Sequence, residues 1–182
     1  MSDRTMRIIA DENIPMTMSR EEQLRQELYE SNANRAAIYA LIYDELCEQL
    51  GAERAESLMM RAIERRGRQK GAAYAQYGPD DLAGLKKAFL EGIPDEGRMF
   101  QPEILCDDGE RLDVKFHACP LKSAWQEMGL PEEKVATLCR IAARVDNGMF
   151  EAAGFRFEAE TYQPGGDGCC RLHIRPGVKG EE

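Results

Sequence analysis

Apolar residues recur at helical spacing through the first half of the chain. Ser19-Arg20-Glu21-Glu22 has the form of a capping box, which marks the start of a helix. Beyond it, apolar residues three or four positions apart predict one helix face: Ile38, Leu41, Ile42, Leu46 and Leu50. We predict that this helix ends at Gly51. A second helix with an apolar stripe from Ala55 to Ile63 follows, and Pro79-Asp80-Asp81 opens a short third helix.

The hydrophobic period changes from helical to alternating near residue 103. Leu112, Val114 and Phe116 alternate with charged residues, which predicts a half-buried strand. Asp107-Asp108-Gly109 predicts a hairpin turn that joins this strand to an earlier one at residues 103–106. Two further helices are predicted, from Cys119 to Met128 and from Pro131 to about Asp146.

Alternation returns at the end of the chain. We predict a strand at residues 155–160 and a turn at residues 165–168, followed by a last strand. On that strand Cys170, Leu172 and Ile174 share the core face, while Cys169 lies on the opposite face. The fold class is therefore α+β: N-terminal helices followed by a β-β-α-α-β-β antiparallel sheet with helices packed on it.

The length of 182 residues fits a single domain. The first 18 residues show no clear period, so we expect residues 1–18 to be a partly ordered segment. Residues 19–182 then form one α+β domain, helical over 19–91 and sheet-forming over 103–176. We see no linker that divides it.

Charge and cysteine content narrow the class of protein. A net charge of -9 argues against nucleic-acid binding, because phosphates repel such a surface. No apolar run approaches the roughly 20 residues of a membrane-spanning helix, and the N-terminus has no signal-peptide core. Six cysteines without an export signal are expected to stay thiols in a reducing cytoplasm. We expect neither a nucleic-acid nor a membrane partner. The sequence does not decide between a monomer and a homo-oligomer.

Cys119 is the most informative candidate for chemistry. It ends a predicted strand and precedes Pro120, so it falls at a helix N-cap, where free amides and the helix dipole favour a thiolate. His117, two residues earlier, lies on the same face if the strand continues. The alternative is that Cys119 is only a small capping residue.

Cys139 and Asp146 lie two helical turns apart on one predicted helix face. A cysteine on such a face is more often a core residue than a reactive one. A carboxylate there is costly unless it is paired or hydrogen-bonded. Asp146 therefore has either a functional role or a capping role at a frayed helix end.

Cys170 lies on the core face of the last strand, so Cys119, Cys139 and Cys170 are predicted to converge between sheet and helices. Their spacing matches no zinc signature, although a metal bound by these cysteines stays an alternative. A basic cluster lies late in the second helix: Arg65, Arg66, Arg68 and Lys70. Such a cluster is usually a solvated face, and the alternative is a site for a substrate carboxylate.

From His117 onward the chain resembles the L-2-amino-thiazoline-4-carboxylic acid hydrolase family. The resemblance rests on short motifs: Cys119-Pro120, Gly129-Leu130-Pro131, Leu138-Cys139, Asp146, Gly154-Phe155 and Gly165-Gly166-Asp167-Gly168-Cys169-Cys170. It covers roughly 60 of the 182 residues, with weaker support from Tyr43-Asp44 and the helix after it.

The resemblance implies a hydrolase that opens the ring of a cyclic amidine-type substrate, with family cysteines at Cys119, Cys139 and Cys170. Family members often carry an acid closer behind the middle cysteine, where this chain has Ile141, Ala142 and Ala143. Asp146 is the candidate to take that place.

The resulting hypothesis is a cytoplasmic hydrolase that acts on a small cyclic C–N substrate bearing a carboxylate. Cys119 is the expected nucleophile, Asp146 or His117 handles protons, and an arginine holds the carboxylate. No cofactor is expected. Two rivals remain, a non-catalytic ligand- or metal-binding domain that uses the same pocket and a scaffold whose cysteines only fill the core.

Overall fold

A computed structural model describes residues 18–166 and 168–178 of the chain. This part contains five α-helices and four strands. The helices are α1 (Arg20–Leu50), α2 (Ala52–Gly71), α3 (Leu82–Glu91), α4 (Pro120–Glu127) and α5 (Glu132–Ala152). The strands are β1 (Pro102–Asp107), β2 (Leu112–Phe116), β3 (Arg156–Glu160) and β4 (Arg171–Arg175). The predicted α+β class is confirmed. All but Met18 of the predicted N-terminal segment lies outside the described residues.

The predicted capping box begins α1. The Glu22 amide donates to Ser19 Oγ at 3.2 Å, and the Ser19 amide donates to the Glu22 carboxylate at 2.7 Å. Two amides that a helix start leaves without partners are thereby satisfied. Gly51 ends the helix with a φ of 81°, as predicted.

Most of the predicted apolar face of α1 is exposed, and of its residues only Leu46 packs against the helical core. Ile38, Leu41 and Ile42 are 46%, 66% and 47% exposed, whereas Ala36 and Ala40 are buried. The reason is close packing, because the small alanine side chains let α4 approach the helix. Trp125 of α4 is fully buried there, and its indole Nε1 donates to the Ala36 carbonyl oxygen at 2.8 Å.

The four strands form one antiparallel sheet in the order β1-β2-β4-β3. Its inner face carries the alternating apolar residues predicted from sequence, which are Leu112, Val114, Phe116, Phe157, Leu172 and Ile174. Phe150 of α5 packs on this face, 5.0 Å from Phe157 and 5.1 Å from Phe89 of α3 by ring centroids. The helices α3 and α5 therefore cover one side of the sheet.

Helices α2 and α5 cross at unusually short range. A Cβ atom on Gly67 would lie 2.1 Å from the Val145 carbonyl oxygen, and one on Gly148 would lie 2.1 Å from the Glu64 carbonyl oxygen. Only glycine permits this approach of two backbones. The crossing brings the C-terminal half of α2 alongside the part of α5 that carries Asp146.

Two element boundaries differ from the predictions. Helix α5 continues to Ala152, so Asp146 lies within the helix rather than at a frayed end. Strand β4 begins at Arg171, so Cys169 and Cys170 precede the strand. None of the described helices is long and apolar enough to cross a membrane.

Candidate functional site

A cavity of about 520 Å³ lies where two hydrophobic cores meet. One core is formed by α1, α2, α4 and α5, and the other by the sheet, α3 and the end of α5. Residues of both cores line the cavity, Trp125 from the first and Phe116 from the second among them. Its volume is suited to a small molecule.

Four cysteines line this cavity. Three are the predicted residues Cys119, Cys139 and Cys170, which the fold brings together from the N-cap of α4, from α5 and from the segment before β4. The fourth, Cys169, was predicted on the opposite face from Cys170, and this prediction is wrong. Side chains alternate only along a regular strand, and both residues lie before β4 begins. The two adjacent cysteines in the sequence could have indicated a shared site, but the alternation rule for strands assigned them to opposite faces.

Cys119 occupies the predicted N-cap position. Its backbone is extended, with φ -151° and ψ 118°, and Pro120 begins α4. The pKa of the Cys119 thiol is lowered to about 7, mainly because Cys169 hydrogen-bonds to its sulfur. The amides of Lys122 and Leu121 also stabilise the thiolate, although the sulfur forms no standard cap hydrogen bond. Burial opposes these effects without cancelling them. The side chain can therefore be a nucleophile at neutral pH.

The other two predicted cysteines differ from Cys119. Burial raises the pKa of the Cys139 thiol to about 12, and the nearby charge of Cys119 adds to the effect. Burial likewise raises the pKa of Cys170. Both are neutral thiols near pH 7, so a thiolate at this site belongs to Cys119.

Asp146 is half-buried within α5 and lines the cavity. Burial raises the pKa of its carboxyl to about 7, the charge of Cys119 raises it further, and Lys70 acts in the opposite direction. A carboxyl with this pKa can give and take a proton near neutral pH. Its place in the middle of the helix does not fit the capping role.

The structure places His117 away from this cavity. Its side chain is exposed, and its Nε2 lies 2.7 Å from Glu103 Oε2 on the neighbouring strand β1. His117 is not among the residues that line the cavity.

Positive charge predominates among the described residues that line the cavity. Four cations do so: Arg35, Arg66, Lys70 and Lys122. The basic cluster predicted on α2 is divided, since Arg66 and Lys70 line the cavity whereas Arg65 and Arg68 do not. Sequence reasoning missed Arg35 and Lys122, because each lies in a different helix without a basic neighbour in the sequence. An anionic group on a ligand would be attracted to this cavity.

A comparison with family models identifies the chain's relatives. The model described as L-2-amino-thiazoline-4-carboxylic acid hydrolase matches residues 31–174, most of the chain. The chain belongs to the L-2-amino-thiazoline-4-carboxylic acid hydrolase family. No match was found among curated proteins.

The family match includes almost the whole lining of the cavity, since only Leu28 lies outside residues 31–174. In this member of the L-2-amino-thiazoline-4-carboxylic acid hydrolase family, Ala142 and Ala143 line the cavity just after Cys139. Asp146 follows one turn later and is the only carboxylate among the described lining residues.

Within residues 18–166 and 168–178, no group of three or more histidine, cysteine, aspartate or glutamate side chains is placed to hold a metal ion.

Proposed function

We propose that the protein is a hydrolase that opens a C–N bond in a small cyclic amidine-type carboxylate, with Cys119 as nucleophile and Asp146 as acid and base. One observation carries the proposal. Cys119, with its pKa lowered to about 7, and Asp146, with its pKa raised to about 7, line the same cavity. Two such groups can supply a thiolate and a neutral acid to one cavity near pH 7. Family membership supports the substrate class.

In the first step the Cys119 thiolate attacks the amidine carbon. The new C–S bond converts this carbon into a tetrahedral centre, and the bond from the carbon to the ring nitrogen then breaks. The ring nitrogen leaves as an amine after it takes a proton from the Asp146 carboxyl group. Asp146 is left ionised, and the ring is open.

In the second step water releases the product. The Asp146 carboxylate takes a proton from the water, whose oxygen adds to the carbon bound to Cys119. The C–S bond to Cys119 breaks, and the thiolate and the neutral Asp146 are regenerated. The net reaction adds one water molecule, so neither an oxidant nor a reductant is consumed.

The cations of the cavity fit a carboxylate-bearing substrate. Arg66 and Lys70 of α2 and Arg35 of α1 line the space beside the sulfur and the acid. A guanidinium can bind a carboxylate through two parallel hydrogen bonds, which orients as well as attracts the ligand. The reaction needs a reduced thiol, as a cytoplasmic location would provide.

The test is turnover of L-2-amino-thiazoline-4-carboxylate by purified protein, followed as loss of the ring. We expect the wild type to consume it, and Cys119→Ser and Asp146→Asn each to lose at least about 100-fold in kcat/KM. Cys106→Ser is the matched control, since Cys106 is on β1 and does not line the cavity.

Two outcomes would contradict the proposal. Full turnover by a folded Cys119→Ser variant would remove Cys119 as the nucleophile. Saturable binding of the compound without any turnover by the wild type would favour the non-catalytic binding protein instead.

A further inference from the structure

Cys119 has a thiol neighbour that the proposed hydrolysis does not use. Cys169 hydrogen-bonds to the Cys119 sulfur, and this contact is the largest influence on the pKa of either thiol. Cys119 packs with the helical core and Cys169 with the sheet core, so the pair joins the two at the cavity.

The chain at Gly168 and Cys169 is hydrogen-bonded to residues on both sides of Cys119. The Cys169 amide donates to the Phe116 carbonyl oxygen at 3.2 Å, three residues before Cys119. Lys122 Nζ, three residues after Cys119, donates to the Gly168 carbonyl oxygen at 2.7 Å. The same ammonium lies 4.5 Å from the centre of the Tyr162 ring. These contacts hold the chain segment at Cys169 beside the segment at Cys119, whatever the protonation state of the two thiols.

We propose that Cys119 and Cys169 form a reversible disulfide when the protein meets hydrogen peroxide. Cys169 is then a resolving thiol that stops the oxidation of Cys119 at a stage from which it can be recovered. The inference needs only the paired sulfurs, so it holds or fails separately from the proposed hydrolysis.

The chemistry balances in two steps. The Cys119 thiolate attacks one peroxide oxygen, the O–O bond breaks, and sulfenic acid and hydroxide form. The Cys169 sulfur then attacks the Cys119 sulfur, the S–O bond breaks, and the hydroxyl group leaves as water with the thiol proton of Cys169. Two thiols have lost two electrons, and the peroxide has gained them. A small thiol restores both cysteines by two exchanges.

The other cavity cysteines are poorer partners. Cys119 acts on Cys139 and Cys170 only through its charge, whereas it also shares a hydrogen bond with Cys169. Cys139 is only 6% exposed and is fixed in α5. A disulfide requires two sulfurs that can approach to about 2 Å, which favours the pair already in contact.

The experiment treats the full chain with a small molar excess of hydrogen peroxide at pH 7, with dimedone present to trap sulfenic acid. Peptides are mapped without reduction. For the wild type we expect the Cys119–Cys169 disulfide as the main product, reversed by dithiothreitol. Cys169→Ser should instead carry dimedone on Cys119, and Cys119→Ser should lose thiols at least about ten-fold more slowly. Cys106→Ser, altered outside the cavity, should behave as the wild type.

The wild-type peptide map decides the question even if a variant fails to fold. A disulfide from Cys119 to Cys139 or Cys170 would overturn the proposal. So would dimedone on wild-type Cys119 without a disulfide, or oxidation elsewhere that leaves Cys119 reduced.

As a second measurement, Lys122→Met removes the tether, the hydrogen bond from Lys122 Nζ to the Gly168 carbonyl oxygen, and should slow disulfide formation several-fold. An unchanged rate in that variant would contradict the role given to the tether.

Discussion

Asp146 shows how one side chain can be costly for the fold and useful for the site. It lies in the middle of α5 beside buried apolar residues, among them Met149 and Ala143. Burial disfavours its ionised form and raises its pKa to about 7. A group held at this pKa destabilises the folded state wherever the unfolded chain would ionise.

The first prediction concerns the stability of Asp146→Asn as a function of pH. The folded pKa is raised from 3.8 to about 7. The unfolded chain ionises Asp146 above about pH 4, whereas the folded chain keeps it neutral up to about pH 7. The folded state therefore loses stability progressively as the pH rises from about 4 to about 7. Asparagine does not titrate, so the free energy of unfolding of the variant should rise relative to that of the wild type across this window, by up to about 4 kcal/mol. Its melting temperature should rise relative to that of the wild type accordingly.

Thermal melts at intervals between pH 4 and pH 8 measure this difference. Glu48→Gln is the control, because Glu48 is an exposed carboxylate of α1 outside the cavity. A difference in melting temperature between Asp146→Asn and wild type that stays constant from pH 4 to pH 8 would show that burial does not raise the pKa of Asp146.

At the scale of elements, the crossing of α2 and α5 determines the geometry of the cavity. Lys70 reaches it from α2, and Cys139 and Asp146 reach it from α5. Gly67 and Gly148 set the separation of the two backbones at the crossing. This separation therefore determines how far the side chains on α2 lie from those on α5 across the cavity.

The second prediction is that Gly148→Ala destabilises the protein by about 2–3 kcal/mol or more, because its methyl group would meet the Glu64 carbonyl oxygen at 2.1 Å. A backbone atom cannot move aside as a side chain would, so the helices must separate. Denaturant unfolding measures the loss. Asn147→Ala, one residue earlier on α5, is the control and should stay within about 0.5 kcal/mol of wild type. Equal stability of Gly148→Ala would contradict the tight crossing.

Local patterns in the sequence predicted the elements well. The capping box, the N-cap at Cys119 and the alternating strands follow from rules that act over a few residues, and the structure has each of them. The predicted end of α5, at about Asp146, is too early, because the helix continues to Ala152. Nothing in the local sequence shows that the cavity accommodates this carboxyl group.

Local sequence patterns could not predict the features that depend on contacts between elements distant in the sequence. The α1 face at Ile38 and Leu41 was misjudged, because apolar periodicity cannot show that Trp125 needs the small side chain of Ala36. Cys169 was assigned to the wrong face because the strand begins two residues later. Arg35 reaches the cavity only through the packing of α1, which no short motif encodes.

At the scale of the whole molecule, the charge of the cavity opposes that of the chain. The protein carries a net charge of -9, yet four cations and one carboxylate are among the described residues that line the cavity. Such a local field attracts a small anion that the rest of the surface would repel. The substrate carboxylate is the group that this field is proposed to bind.

The third prediction tests this role with two adjacent arginines of α2. Arg66→Gln should raise KM for the thiazoline carboxylate about 10- to 100-fold, the cost of losing a charged hydrogen bond, with a smaller effect on kcat. Arg65→Gln is the matched control, because Arg65 is exposed on the same helix and does not line the cavity. Steady-state kinetics of both variants measure the effect. Equal KM values would show that Arg66 does not bind the carboxylate.

The central claim is that Cys119 is the reactive thiol of a substrate cavity. Its most direct test is the rate at which iodoacetamide labels each cysteine at pH 7, read from peptides with and without L-2-amino-thiazoline-4-carboxylate. The pKa of Cys119 is lowered to about 7 and that of Cys106 is raised, so Cys119 should react at least about ten-fold faster. The thiazoline should slow labelling of Cys119 alone. Labelling of Cys106 or Cys47 at an equal rate, or labelling of Cys119 that the thiazoline does not slow, would contradict the claim.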